Sequence, residues 1–191
     1  DGTLSRPTAT NQNVVCSMLE DVRNAETHNL TTRLFAEIKF LKDFTFTANY
    51  AYDYSHSFQT VYYTPTIGDG QSFQGRSTKY SGSGTTTNFN QILAYNKIVG
   101  EHNISAKIGH EYYVYKGRGL EGQKTRFFDP MNNELINGGQ MEYITSSTSH
   151  HNIEGYFAMA DYNYGSKYYL SAAYRRDGTS RIRRETRWGT F

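Results

Sequence analysis

From residue 30 onward, apolar and polar positions alternate along the chain with a period of two. In FTFTANYAYDY, Phe44, Phe46, Ala48, Tyr50, Tyr52 and Tyr54 fall on one face, and Thr45, Thr47, Asn49, Ala51 and Asp53 on the other. Successive strand residues point to opposite faces, so this pattern predicts a strand with one apolar and one polar side. LTTRLFAEIKF repeats it, with Leu34, Ala36, Ile38 and Phe40 against Arg33, Phe35, Glu37 and Lys39. NFNQILAYN sets Phe89, Leu93 and Tyr95 against Asn88, Asn90, Ala94 and Asn96, with Ile92 as an exception. NISAKIGHEYY sets Ile104, Ala106, Ile108 and Tyr112 against Ser105, Lys107, Gly109 and Glu111. GYFAMADYNY and YYLSAAYR supply a fifth and a sixth strand, less regular than the rest.

The connections alternate in length. KD (Lys42, Asp43), VGEH and GSK are short, whereas residues 55–85 and 116–151 are long and rich in Gly, Ser, Thr and Asn. Strands of about 10–12 residues match what a tilted strand needs to cross a bilayer. Short turns at one end, long loops at the other and apolar-out, polar-in alternation predict an all-β, antiparallel up-and-down meander. It would form about six strands of a larger transmembrane β-barrel. A soluble antiparallel sheet with one wet face, binding carbohydrate or protein, also alternates. Strand length and the tyrosines near strand ends (Tyr50, Tyr52, Tyr54, Tyr112, Tyr113, Tyr162, Tyr164, Tyr168, Tyr169) favour the barrel, whose rims carry aromatic girdles. On this reading Phe46, Ala48, Tyr50, Ile104, Ala106 and Ile108 point outward, and Thr47, Asn49, Lys107 and Glu111 line the interior.

Composition fits a thin, tyrosine-rich apolar surface. The 191 residues are 37% hydrophobic and 15% aromatic, with 17 Tyr against one Trp. The net charge of +2 creates no global field for nucleic acid. No run of 18 apolar residues exists, so no transmembrane helix is expected. The single Cys16 cannot form an internal disulfide. The opening DGTLSRPTAT lacks a basic-then-apolar leader.

Sites of chemistry are few. Six arginines crowd LSAAYRRDGTSRIRRETRWGTF, but no recognition helix or wider basic surplus accompanies them. A structural reading fits better, with Asp177 and Gly178 in a tight turn and the arginines paired with carboxylates. His150 and His151 are adjacent and point to opposite strand faces, so one metal could hardly take both. DPMNNE has oxygen ligands without calcium-loop spacing and reads as a turn. The glycines of GDGQSFQG precede no helix, so no phosphate cradle is expected. No metal, cofactor or catalytic residue is assigned, and the protein is expected not to be an enzyme. Candidate ligand or partner contacts are the loop aromatics Tyr62, Tyr63, Phe73, Tyr80, Phe127, Phe128 and Tyr143, which offer flat apolar faces.

YRRDGTSR followed by RWGTF resembles a recurring segment of SusC/RagA-type TonB-dependent transporters, in which a strand runs into R-x-D-G-S-S-R and then a W-G-x-F strand start. The matching residues are Arg175, Asp177, Gly178 and Arg181, then Trp188 and Gly189. LAYNKIVGEHNISAKIGHEYY, AEIKFLKDFTFTANYAYDY and DYNYGSKYYLSAAYRRDG are similar to hairpins of that family. Two departures are Thr179, where the family usually has Ser, and the strongly basic RIRRETR. The resemblance implies a barrel of about 22 strands around a plug, with residues 1–191 an internal piece lacking the plug and the remaining strands. It also implies a Gram-negative outer membrane, contact with membrane lipid, import of a glycan or peptide nutrient, energy through TonB, and a SusD-like surface lipoprotein as partner. Residues 55–85 and 116–151 would then be extracellular loops. Residues 177–187 would form a third such loop, with Asp177 and Gly178 at its turn, and Trp188 would begin a seventh strand.

Overall fold

The computed structural model describes residues 14–191; the opening DGTLSRPTAT lies outside them. A short helix, α1 (Val14–Glu20), precedes seven strands: β1 (Val22–Phe40), β2 (Phe44–Tyr63), β3 (Arg76–Val99), β4 (His102–Phe127), β5 (Gly138–Tyr164), β6 (Tyr168–Thr179) and β7 (Trp188–Thr190). They form one antiparallel sheet in the order β1-β2-β3-β4-β5-β6-β7, an up-and-down meander. The expected class and the six hairpin-linked strands are present, and Trp188 does open a seventh.

The strands are longer than the expected 10–12 residues. β3, β4 and β5 run for 24, 26 and 27 residues. Much of residues 55–85 and 116–151 is therefore strand, and the connections shrink to residues 64–75 and 128–137. The turns at the other end are as short as expected. Leu41 and Lys42 adopt positive φ (49° and 64°), as do Gly165 and Ser166 (56° and 55°), the left-handed geometry that tight hairpins require.

The chain divides into two compact units. The first comprises the described residues up to Asn29 with Ser55–Ser83 and Gly117–Thr148, the second Leu30–Tyr54, Gly84–Lys116 and Ser149–Phe191. The first holds a small core at the ends of β2 and β4. There Tyr62 (2% exposed) meets Phe127 (7%) edge-on at 5.2 Å, and the Tyr62 hydroxyl donates to the Pro130 carbonyl at 2.9 Å. Burial, then the nearby carboxylates of Asp129 and Asp21, push that hydroxyl's pKa up.

The second unit carries the alternating faces. One face bears two aromatic rows. Near the short turns, Phe40 stacks on Phe44 and Phe44 meets Tyr95 at 4.8 Å, while His102 meets Tyr164 at 4.8 Å and Tyr164 meets Tyr168. Farther along the strands, Tyr50 meets Phe89 edge-on, and Tyr156 stands between His110 and Trp188. Between the rows on β5–β6, Ala158 opposes Tyr174, Ala160 opposes Ala172 and Tyr162 opposes Leu170, so small and aliphatic residues share the band with two tyrosines. The rows are six residues apart on β2 (Phe44, Tyr50) and eight on β5 (Tyr156, Tyr164), which at about 3.3 Å per residue and a tilt of about 40° separates them by about 15–20 Å. Tyr62 and Phe127 are the buried hydrophobic residues named among the described ones, while Leu34, Ile38, Ile104, Ile108 and Leu170 are exposed. A water-soluble domain would bury such residues, so the soluble alternative is not favoured.

Candidate functional site

The opposite face of the second unit is polar and knit together. Arg33 pairs with Asp53 at 2.9 Å, and Thr31 donates to the same carboxylate at 2.9 Å. Asn49 donates to Asn90 at 2.8 Å and Ser105 to Asn96 at 2.9 Å. The expectation that Asn49 and Glu111 share the polar side fits these contacts. At the β4–β5–β6 end, Arg175 spans two acids: its Nη2 lies 2.7 Å from Glu111 and its Nε 2.8 Å from Asp177. A guanidinium fork suits this arrangement, since its donors diverge in one plane. The pair fits against β5 because Gly155 lies opposite Asp177: a side chain there would occupy the space of the Asp177 carboxylate.

The arginine-rich segment departs from expectation. Asp177 and Gly178 do not make the turn; both lie in β6, paired with Gly155 and Glu154 on one side and with Gly189 and Trp188 on the other. The reason is packing. The Trp188 indole covers Gly178 so closely that a Cβ there would sit 2.8 Å from the ring. Arg176 lies over the same indole at 5.4 Å. The reversal instead uses residues 180–187. It is closed by Thr179 N–H donating to Arg187 O at 3.2 Å and pinned to β5 by Ser180 N–H donating to Asn152 O at 2.9 Å. Of the motif residues, Arg175 pairs with carboxylates of strands β4 and β6 rather than of a neighbouring loop. Arg181 instead places Nη2 3.3 Å from both ring nitrogens of His151. Tyr115 and Tyr113 flank that imidazole at 5.1 and 5.8 Å. Burial, then the positive charges of Arg181 and His150, hold the His151 pKa below the usual histidine range.

In the first unit the seven candidate aromatics separate. Tyr62 and Phe127 are interior and present no free face to a ligand. Tyr63 is bracketed by Arg23 (5.5 Å) and Arg76 (5.4 Å), and Arg76 also covers Phe73 at 4.1 Å. Tyr80 folds over the bare backbone of Gly82 and Gly119. The Tyr143 hydroxyl donates to Glu121, a bond that raises its pKa. Only Phe128 stands clear, 82% exposed. It begins a loop, residues 128–137, in which Met131 and Ile136 are also outside (92% and 88%). Asn137 organises this loop. Its amide donates to the carbonyls of Asp129 and Asn132, both at 2.8 Å, and its Oδ1 accepts from Asp129 N–H. No cluster of three potential metal ligands occurs among the described residues.

Sequence reasoning missed the exposed tip formed by Met131 and Ile136, and the row Gln91–His110–Glu154 on the apolar face. The second breaks the alternation only through single polar residues on separate strands, which no local pattern connects.

Comparison with known proteins follows the same lines. No protein-family model matches the chain. It is 24% identical over 173 residues to the TonB-dependent receptor P3 of Formosa agariphila, covering 90% of the chain and 17% of that protein. It is 25% identical over 159 residues to the TonB-dependent receptor SusC of Bacteroides thetaiotaomicron, covering 80% of the chain and 15% of that protein. The chain thus spans less than a fifth of these relatives' length. Among solved structures it superimposes on the RagAB peptide transporter with a TM-score of 0.83 at 19% identity, covering 90% of the chain and 20% of that one. The RagAB peptide importer in its closed-closed state gives 0.82 at 20% identity, with the same coverage. The relatives are receptors and transporters by name. The hairpin pattern, the sequence matches and the superposition together make the chain similar to β-barrel segments of SusC-type TonB-dependent transporters.

Proposed function

We propose that the chain forms part of the barrel wall of an outer-membrane importer. The carrying observation is the division of labour between faces: two aromatic rows about 15–20 Å apart frame a mainly apolar band, somewhat shorter than the apolar band of about 25 Å in outer-membrane barrels. The apolar face meets lipid. The polar face, with its Arg33–Asp53 and Arg175–Glu111 pairs, lines the lumen, where water sustains such charges. Each antiparallel crossing reverses direction, so residues 64–75, 128–137 and 180–187 lie on the extracellular side and the short turns on the periplasmic side.

The cargo is a nutrient such as an oligosaccharide or a peptide. SusC and RagAB support this reading, RagAB being a peptide importer by name. A SusD-like surface lipoprotein partners the barrel, and energy arrives through TonB acting on a plug. Phe128, Met131 and Ile136, exposed on a loop hydrogen-bonded through Asn137, offer that lipoprotein an apolar anchor; aromatic and Met side chains are favoured in such interface centres. The test uses the full-length protein, tagged and expressed in a Gram-negative host. It should fractionate with the outer membrane, co-purify with the lipoprotein encoded beside it, and lose uptake when the TonB-contacting segment is deleted. Recovery in the soluble fraction would refute the proposal.

A further inference from the structure

The apolar face of the second unit is interrupted at one place. Gln91, His110, Glu154 and Tyr156, from β3, β4 and β5, form a continuous row. Gln91 Oε1 lies 3.2 Å from His110 Nδ1, and His110 Nε2 lies 3.2 Å from Glu154 Oε1. The Tyr156 hydroxyl donates to that same oxygen at 2.6 Å, and its ring stacks on the imidazole at 4.8 Å. The side chains of His110 and Glu154 stay partly open, at 28% and 34%. Next to the row is a recess of about 400 Å³ lined by Phe46, Leu93, Ile108 and Tyr156, with Gln91 and His110 at its polar edge. Leu93 and Ile108 each sit two residues from a polar member, on the side of the short turns. Polar and apolar halves are thus stacked along the strand direction, polar half at the row of Tyr50, Phe89 and Tyr156, apolar half between the two aromatic rows.

A carboxylate on a face that meets hydrocarbon is costly at the bilayer centre and nearly free at the interface. Its position in the second aromatic row puts Glu154 at headgroup depth. We propose that the recess is a specific site for one aminolipid, an acyl lipid whose headgroup carries an ammonium. An acyl chain lies against Phe46, Leu93 and Ile108, and the ammonium rests on Glu154. This rests on the lipid-facing reading of the apolar face. Charge selects the occupant. Tyr156 and His110 share one Glu154 oxygen, and the second oxygen has no hydrogen bond among the described residues. The Gln91 carbonyl is turned to His110, so its NH₂ is available to an ester or phosphate oxygen of the same lipid. Arg176, the register partner of Tyr156, holds its guanidinium over Trp188 beside the row, so it offers a lipid phosphate a cation while Glu154 takes the ammonium; a headgroup without an ammonium makes only the first of these contacts.

The experiment reconstitutes the full-length transporter into nanodiscs of equal phosphatidylethanolamine and phosphatidylglycerol, then counts lipids retained after mild delipidation by native mass spectrometry. Phosphatidylethanolamine should be retained over phosphatidylglycerol by at least about threefold, a difference of about 0.65 kcal/mol. Glu154→Gln should abolish the preference. Ile108→Trp, which fills the recess without altering charge, should lower retention of both lipids. Asp161→Asn, on the opposite face beside Ser171, should change nothing. Equal retention by wild type and Glu154→Gln, or a preference for phosphatidylglycerol, overturns the site. Failure of the wild-type protein to enter nanodiscs at all overturns instead the membrane reading beneath it.

Discussion

Gly178 shows how a residue can be conspicuous in a sequence for one reason and needed in the structure for another. An Asp-Gly pair beside a run of arginines reads as a turn, because both residues tolerate tight reversal. In the fold both are strand residues, and the missing Cβ makes room for the Trp188 indole. Ten residues separate the two, so no local rule could have paired them. Gly178→Ala in the full-length barrel should cost about 1–3 kcal/mol, the range of overpacking. In a Trp188→Ala background the same change should cost less than about 0.5 kcal/mol, because neighbours couple. Denaturant unfolding in micelles measures both; additive costs would mean the indole is not the obstacle. His151 makes a second residue-scale test. Its folded-state pKa lies below its ordinary value, so the unfolded chain binds the extra proton more readily. The contribution is whole above the ordinary histidine pKa and lost as pH falls through the folded value. Protection of amides 180–187, corrected for the intrinsic exchange rate (which itself slows as pH falls), should therefore drop as pH falls from about 7 to about 5. His151→Gln, which cannot titrate, should flatten that change.

At the scale of elements, the lower halves of the strands were legible and the upper halves were not. FTFTANYAYDY shows its strand because one face is apolar and the other polar. STKYSGSGTTT and KGRGLEGQKTR are polar on both faces, so periodicity vanishes, although β3 and β4 continue through them. Nothing in composition distinguishes a strand with two wet faces from a loop. What persists is the backbone ladder, which any side chain permits. The same blindness hid the order of residues 128–137. DPMNNE was rightly expected to turn, but its organiser, Asn137, follows the motif by three residues and acts through a side chain. Asn137→Ala removes three hydrogen bonds and leaves two carbonyls to water. The cost should be about 1–2 kcal/mol. Its clearest sign is faster proteolysis between residues 128 and 137 on intact cells, with barrel yield unchanged. Protease resistance equal to wild type would show that Tyr62 and Ser77, which bond to Pro130 O and Asn133 O, hold the loop unaided.

For the whole molecule, fold and membrane reading depend on one assignment: which parity of each strand faces lipid. The sequence proposed it from alternation, and the aromatic rows support it from independent contacts. Tyr50 meets Phe89, and Phe44 meets Tyr95, each a pair of residues that alternation puts on the apolar side. The polar parity answers with its own pairs, Asn49 to Asn90 and Ser105 to Asn96. A one-residue slip of any strand would exchange the two sets wholesale, so adjacent positions on one strand make the sharpest test. Ala106 and Ser105 on β4 lie between the aromatic rows and point to opposite faces. Ala106→Arg buries a guanidinium in hydrocarbon near the band's centre and should destabilise the full-length barrel by about 2–4 kcal/mol. Ser105→Arg loses one exposed hydrogen bond and gains a water-filled lumen around the new charge. Its cost should be about 1 kcal/mol or less. Equilibrium folding into phospholipid vesicles reads both in one assay. Equal costs would mean that β4 meets the same medium on both sides, and the barrel wall would be the wrong picture.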